Sequence, residues 1–237
     1  MFFVTYPYVE LGIFDSEALK QKGVLVANAQ GGNRPSIIEW VMFMTLALFR
    51  KFIPLIRATE NPTVSLQESL VGKKALIVGK GSIGSKIADP LKVFGVEVSF
   101  FERGDDLHAK LADKDLVINA LNSNSTSKNL LDEKSFASMK PGSYFISFVR
   151  PYTYSLQGLL NSIDKNIVAG AAIDCDPEKF GDTQNAFYQK ALANPKVLVT
   201  PHVAFSTKQA VANGAEIAIQ NIEKTIADEP QNILVKV

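Results

Sequence analysis

Three side chains in this sequence have types that together suit one reaction, and each stands just past an apolar run. Arg150 follows the run 144–149. Glu178 lies a little beyond the run 167–173 and its closing acid Asp174. His202 follows the run 197–200, within Thr200-Pro-His-Val-Ala204. When hydride reduces a ketone, negative charge builds on the oxygen, and a proton donor must meet it. Histidine does this near neutral pH. A carboxylate beside the histidine keeps the imidazole protonated and oriented. An arginine holds a substrate carboxylate in its planar fork and polarises the carbonyl. Taken singly, each residue has an ordinary reading: His202 a satisfied structural histidine, Arg150 a surface ion-pair partner, Glu178 a solvated loop acid, Asp174 a helix cap. Their common place at strand ends is what argues for catalysis.

Hydride chemistry needs a carrier, and residues 75–84 offer it a seat: Ala-Leu-Ile-Val-Gly-Lys-Gly-Ser-Ile-Gly. Gly79, Gly81 and Gly84 have the spacing G-x-G-x-x-G, between an apolar run and a helix-like segment, 82–94. Gly79 permits a sharp turn, Gly81 lets backbone approach a pyrophosphate, and Gly84 lets helix pack closely on strand. Ser82 and Ile83 lie at the helix entrance, where N–H groups and the positive dipole end favour phosphate. A second strand-like run, 96–101, ends at Glu102, 23 positions after Gly79 (102 − 79). An acid there accepts hydrogen bonds from the adenosine ribose. Its charge disfavours a 2′-phosphate, so NAD is the expected cofactor, while the adjacent Arg103 speaks for NADP. Ligands of open α/β sheets lie outside the carboxyl ends of the strands. Leu121 and Val149, closing the runs 114–121 and 144–149, and Asp174 therefore join the expected cofactor set. Pro90 sits inside the helix-like segment and predicts a kink or early break there.

The elements that must carry these residues alternate. Strands are expected at 75–78, 96–101, 114–121, 144–149, 167–173 and 197–200, and helices at 132–139, 156–163, 187–193 and 206–227. That order predicts an α/β fold with a doubly wound parallel sheet, helices on both faces. Residues 1–29 read as strand, helix and strand, with Asp15 or Ser16 as cap and Gly23 as stop. Ser36, with Glu39 three residues on, reads as the capping box of a long apolar helix. The apolar segment 37–56 is interrupted by Glu39, Arg50, Lys51 and Pro54 and is too short to span a bilayer, so it reads as a buried helix. His108 falls in an irregular charged stretch and reads as surface.

At 237 residues, 46% apolar and 21% charged, the chain has room for one large domain or one with a smaller companion. A formal charge of +1 gives no reason to expect nucleic acid or a membrane as partner. The single cysteine, Cys175, excludes an internal disulfide, fits the reducing cytoplasm, and reads as a small core residue. Met1-Phe-Phe-Val lacks a basic region before it, so no signal peptide is expected. Neither histidine has ligand company at a useful spacing, so no metal is expected.

These motifs together resemble the D-isomer specific 2-hydroxyacid dehydrogenases. The likeness runs from about Asp15 to the C-terminus. It rests on Gly23-Val-Leu-Val-Ala-Asn28, the helix with Glu39, Val78-Gly-Lys-Gly-Ser-Ile-Gly84, Met139-Lys-Pro-Gly142, Val149-Arg150, Ala172-Ile-Asp174 and Thr200-Pro-His-Val-Ala204. The resemblance implies a Rossmann NAD-binding domain, and hydride transfer between NAD(H) and a small 2-hydroxy or 2-oxo acid, D-specific. It makes Arg150 the substrate-binding arginine and His202 the acid/base. Glu178 is then the glutamate paired with His202, in a loop one residue shorter than usual, and Asp174 is the aspartate near the nicotinamide carboxamide. It also implies a homodimer. Residues 1–29 would be a reduced remnant of a substrate-binding domain, 30–204 the dinucleotide-binding domain, and 205–237 a C-terminal helix returning to the substrate side. Ala204-Phe205 resembles the D-lactate branch. The departures are local. Glu10 falls near an expected carboxylate-binding glycine in Tyr6-Pro-Tyr-Val-Glu-Leu-Gly12, Pro151 replaces the glycine after the arginine, Ser147 replaces asparagine, and Asn122 replaces proline. They leave open two other readings: a non-catalytic NAD-binding sensor or interaction module derived from this family, and a piece of a longer chain.

Overall fold

The computed structural model describes residues 2–9, 15–57, 66–175 and 182–235; Glu10 and Glu178 lie outside them. β1 (Phe2–Tyr6) leads to α1 (Ser16–Gln21). Asp15 caps α1 by accepting the Ala18 N–H at 3.0 Å. Gly23, at φ +66°, then turns the chain into β2 (Val24–Asn28). α2 (Arg34–Phe49) starts two residues before Ser36. Ser36 is therefore not its cap: its hydroxyl lies 2.6 Å from that of Thr207 instead. The apolar segment is also two helices rather than one. Lys51 adopts a left-handed φ of +46°, and α3 (Phe52–Ile56) follows. Pro54 accounts for the break, since in a continuous helix its ring would crowd the Arg50 carbonyl.

β3 (Lys74–Val78), α4 (Gly84–Val93) and β4 (Glu97–Phe101) form the first βαβ unit. The early break expected at Pro90 does not occur: α4 runs through it to Val93 and buries Ile87, Ala88 and Leu91. Proline inside a helix costs about 3 kcal/mol. Burying two large aliphatic side chains, at about 1.5–3 kcal/mol each, offsets that. α5 (Leu107–Leu111) then carries His108 on a short helix, not on irregular chain. Asp106 caps α5, accepting the Ala109 N–H at 3.1 Å, and His108 is exposed. The chain continues through β5 (Leu116–Asn119), α6 (Glu133–Ala137), β6 (Ser143–Ser147), α7 (Leu156–Asp164), β7 (Val168–Asp174), α8 (Ala186–Leu192), β8 (Val197–Thr200), α9 (Lys208–Ile226) and β9 (Ile233–Val235). No helix among the described residues is long and apolar enough to cross a membrane.

The chain divides into two compact units, Met1–Ile37 with Phe205–Val237, and Ile38–Ala204. In the first, β2 pairs in parallel with β1 and antiparallel with β9, over a small core of Tyr6, Val26 and Val235. Buried Asn221 of α9 ties this unit together, donating to the Asn28 carbonyl at 2.9 Å. The second unit holds the doubly wound sheet anticipated from the alternation, six parallel strands in the order β4-β3-β5-β6-β7-β8. Its central strands are continuous apolar runs because both faces are covered. On one face Phe145 meets Phe136 of α6 edge-on at 5.0 Å, over Leu159 and Ile163 of α7. On the other, Tyr144 packs on Phe49 of α2 at 4.7 Å. After β3 the chain moves first to β4 on one side and then to β5 on the other. That reversal opens a crevice at the carboxyl edge between β3 and β5.

Candidate active site

The glycine loop leaves β3 at this crevice. Gly79 has φ +112°, and a β-carbon on it would stand 2.5 Å from the Ala120 carbonyl oxygen beyond β5. Gly84, the first residue of α4, is tighter: a β-carbon there would lie 2.0 Å from the Gly79 carbonyl oxygen. Gly81 differs, because a β-carbon on it would meet nothing within 4 Å. So two glycines let the chain pack on itself, and the third leaves the outer side of the loop open. Ser82 is exposed there, and Ile83 is the residue from which α4 starts. This cradle fits a pyrophosphate group against a helix N-terminus.

Glu102 stands one residue past β4 and is exposed, as is Arg103. Its carboxylate is already paired: Lys80, between the first two glycines, reaches Glu102 Oε1 at 2.7 Å and lies 5.3 Å above the Phe100 ring. The sequence reading missed Lys80. Its signal was a cation inside the glycine motif and an acid where the second strand ends.

Asp174 closes β7, and Arg150 and His202 stand just past β6 and β8, the strands on either side of it. Because all strands are parallel, they share the carboxyl edge with the glycine loop and with Leu121, two residues beyond β5. β6 ends at Ser147, so Val149 and Arg150 belong to the turn after it. Arg150 is exposed and opens a 3-10 turn, Pro151–Thr153. Its carbonyl accepts from the Thr153 N–H at 3.2 Å and the Thr153 hydroxyl at 3.1 Å.

Asp174 is buried and uses both carboxylate oxygens within the chain. One accepts from the Thr200 hydroxyl and from the Val203 N–H at 2.9 Å, and the other accepts the Ala204 N–H at 2.8 Å. Burial pushes its pKa up, and these hydrogen bonds oppose the shift. Between those anchors lie Pro201 and His202, and His202 has a φ of +58°. Asp174 thus grips the chain on both sides of a histidine held in a left-handed conformation, a geometry that persists only where its surroundings enforce it. The sequence read Asp174 as a cofactor contact. The structure gives it the further task of fixing the histidine turn. Cys175 is buried beneath, its N–H donating to the Thr200 carbonyl at 2.8 Å.

Residues 42–204 match the family described as D-isomer specific 2-hydroxyacid dehydrogenase, NAD binding domain. Among curated proteins, D-3-phosphoglycerate dehydrogenase 2 of Saccharomyces cerevisiae is 26% identical over 86% of this chain and 49% of its own length. D-lactate/D-glycerate dehydrogenase of Pediococcus acidilactici is 26% identical over 87% of this chain and 70% of its own. The chain therefore spans about half the length of the first of these relatives. Among solved structures, D-2-hydroxyisocaproate dehydrogenase is similar with a TM-score of 0.87 and 22% identity, over 99% of this chain and 79% of that one. A D-lactate dehydrogenase from Treponema pallidum is similar with a TM-score of 0.86 and 23% identity, over 100% and 79%. At those identities the structural likeness is one of fold.

Proposed function

We propose, from the premise that this chain belongs to the D-isomer specific 2-hydroxyacid dehydrogenase family, that it is an oxidoreductase acting on a small D-2-hydroxy or 2-oxo acid with NAD(H). The observation that carries this reading is the turn bearing His202, held by Asp174 on the same sheet edge as the glycine loop and Arg150. Gly79, Gly81, Ser82, Ile83 and Gly84 would hold the pyrophosphate, Glu102 the ribose, and Leu121 and Val149 the remaining length of the cofactor. NADH, when bound, supplies hydride to the carbonyl carbon of the acid. Arg150 grips the substrate carboxylate and draws electron density toward the carbonyl oxygen. His202 gives its proton to that oxygen, and in the oxidative direction takes it back. Glu178 stabilises the imidazolium.

A homodimer is the assembly this reading favours. A groove of about 240 Å³ lies among Phe43, Met44, Phe52, Ile53, Leu192 and Val197. Phe43, Phe52, Ile56 and Leu192 around it are exposed, and apolar surface of that kind is usually covered by a partner. The lone, buried Cys175 suits the cytoplasm.

The direct test is NADH consumption by the purified chain with a panel of 2-oxo acids, alongside NADH binding. Turnover is expected with the parent protein. Arg150→Ala is expected to raise KM by about 10²-fold or more, the cost of leaving a charged group without its partner, with NADH binding retained. Tight NADH binding without turnover by the parent protein on any acid would instead select the sensor reading.

Lys80 carries a second expectation. While it neutralises Glu102, the repulsion that excludes a 2′-phosphate is blunted. An exposed pair of this kind is worth roughly 0.2–1 kcal/mol. Lys80→Met should therefore raise the ratio of the NADPH to the NADH dissociation constant by about 1.4- to 5-fold. Parallel fluorescence titrations measure it, and an unchanged ratio would free Lys80 of any part in cofactor choice.

A further inference from the structure

We infer that Asn119, Ser147 and Thr153 form a buried clamp that sets the position of Arg150, and so act as positioning residues for the substrate carboxylate; the inference rests on the role proposed for Arg150 above. All three are fully buried, at 0% exposure. Asn119 closes β5 and Ser147 closes β6, and the parallel register sets them side by side. The Asn119 amide donates to the Thr153 hydroxyl at 2.9 Å and to the Ser147 hydroxyl at 3.3 Å. Each hydroxyl then passes its own proton on to backbone: Thr153 to the Arg150 carbonyl at 3.1 Å, and Ser147 to the Val149 carbonyl at 3.1 Å. The Asn119 carbonyl oxygen accepts the Leu121 N–H at 3.3 Å. One amide therefore connects the chain beyond β5 with the two carbonyls that flank Arg150, those of Val149 and of Arg150 itself.

Packing alone does not require this polarity. A leucine at 119 or a valine at 153 would fill the same space, and buried polar groups cost free energy unless every one is satisfied. The satisfied network converges on a single exposed residue, Arg150. Its guanidinium must meet a carboxylate in one plane, and misplacing such a group by about 1 Å can cost about 10²-fold in rate. Pro151 stiffens the far side of the turn by fixing its own φ. The clamp holds the peptide groups on both sides of Arg150.

The test compares Thr153→Val, which removes the hydroxyl at constant shape, with Thr153→Ser, which keeps it. Ser147→Ala is the milder second variant, and Arg150→Ala the reference. All are made in the full chain. The probes are pyruvate, 2-oxoisocaproate and phenylpyruvate with NADH, and hydrogen–deuterium exchange over residues 148–155. Thr153→Val is expected to raise KM about tenfold with kcat little changed, and to speed exchange over 148–155 about tenfold, the order of one lost buried hydrogen bond. NADH affinity should stay within about twofold, and Thr153→Ser should behave as the parent. Ser147→Ala should shift KM and exchange the same way by about threefold. Parent-like KM and exchange in both Thr153→Val and Ser147→Ala, with Arg150→Ala still raising KM, overturns the clamp and leaves the proposed function standing. If Arg150→Ala leaves KM unchanged, the reading of Arg150 falls, and the positioning role falls with it.

Discussion

Replacing His202 with asparagine is expected to lower kcat for 2-oxo acid reduction by about 10²–10⁴-fold, the usual contribution of a positioned proton donor. The choice of asparagine matters. His202 has φ +58°, and alanine there would add backbone strain to the loss of the imidazole. Asparagine visits the left-handed region readily, so it keeps the turn and removes only the titratable ring. Asp174 holds that turn through the Thr200 hydroxyl and the Val203 and Ala204 N–H groups, none of which belongs to residue 202. NADH affinity should therefore stay within about twofold. The sign of the pH dependence follows from the role. Reduction consumes the imidazolium proton, so the parent rate should fall as pH rises, and the variant profile should flatten. Initial rates of NADH oxidation across pH, with NADH titrations at each point, measure both. A variant that keeps kcat within tenfold of the parent would remove His202 from proton transfer.

What the sequence disclosed is what short stretches determine. The glycine loop, the apolar strands around it and the Asp15 cap are each read from a few adjacent residues, and the six-stranded parallel sheet follows from their order. What it withheld depends on residues far apart. Ser36 looked like a cap because Glu39 stands three residues on, but its hydroxyl is drawn to Thr207, 171 positions away. Pro90 looked like a break because the burial of Ile87 and Leu91 against the sheet is tertiary. α5 has just two buried residues, Leu107 and Leu111, so its periodicity was too brief to see, although Asp106 offered a cap. β9 is three residues long and exists through pairing with β2.

The same division runs through the candidate site. Residue types and strand ends gave Arg150, Asp174 and His202. That Asp174 turns its carboxylate onto the histidine turn required the pairing of β7 with β8, which sets Asp174 beside Thr200. The Lys80–Glu102 pair and the Asn119–Ser147 contact likewise join neighbouring strands at one sheet edge. Glu178, proposed as the partner of His202, falls outside the described residues, so its role rests on the family likeness.

The glycine loop gives the sharpest contrast between folding and binding within one motif. Gly84→Ala is expected to weaken NADH binding by at least about 10²-fold and to lower stability by roughly 1–3 kcal/mol or more. The added methyl would sit 2.0 Å from the Gly79 carbonyl oxygen and 3.1 Å from the Ala120 β-carbon. The nearer obstacle is backbone, with no flexible side chain to swing away, and Gly79 is itself fixed at φ +112° against Ala120. α4 must therefore shift from β3, carrying its N-terminal N–H groups away from the loop that would present them to phosphate. Gly81→Ala separates the two effects. Its β-carbon meets nothing within 4 Å, and its φ lies outside the left-handed range, so the fold should accept it. Stability should hold or rise by about 0.4–1 kcal/mol, through the less flexible unfolded chain. Yet NADH binding should still weaken by about tenfold or more, since the pyrophosphate has to approach that backbone closely. Thermal unfolding and NADH fluorescence titration on the two variants decide the matter. If Gly81→Ala binds NADH as the parent does, the cofactor does not lie on the open side of the loop, and the cradle built by Gly79 and Gly84 serves packing alone.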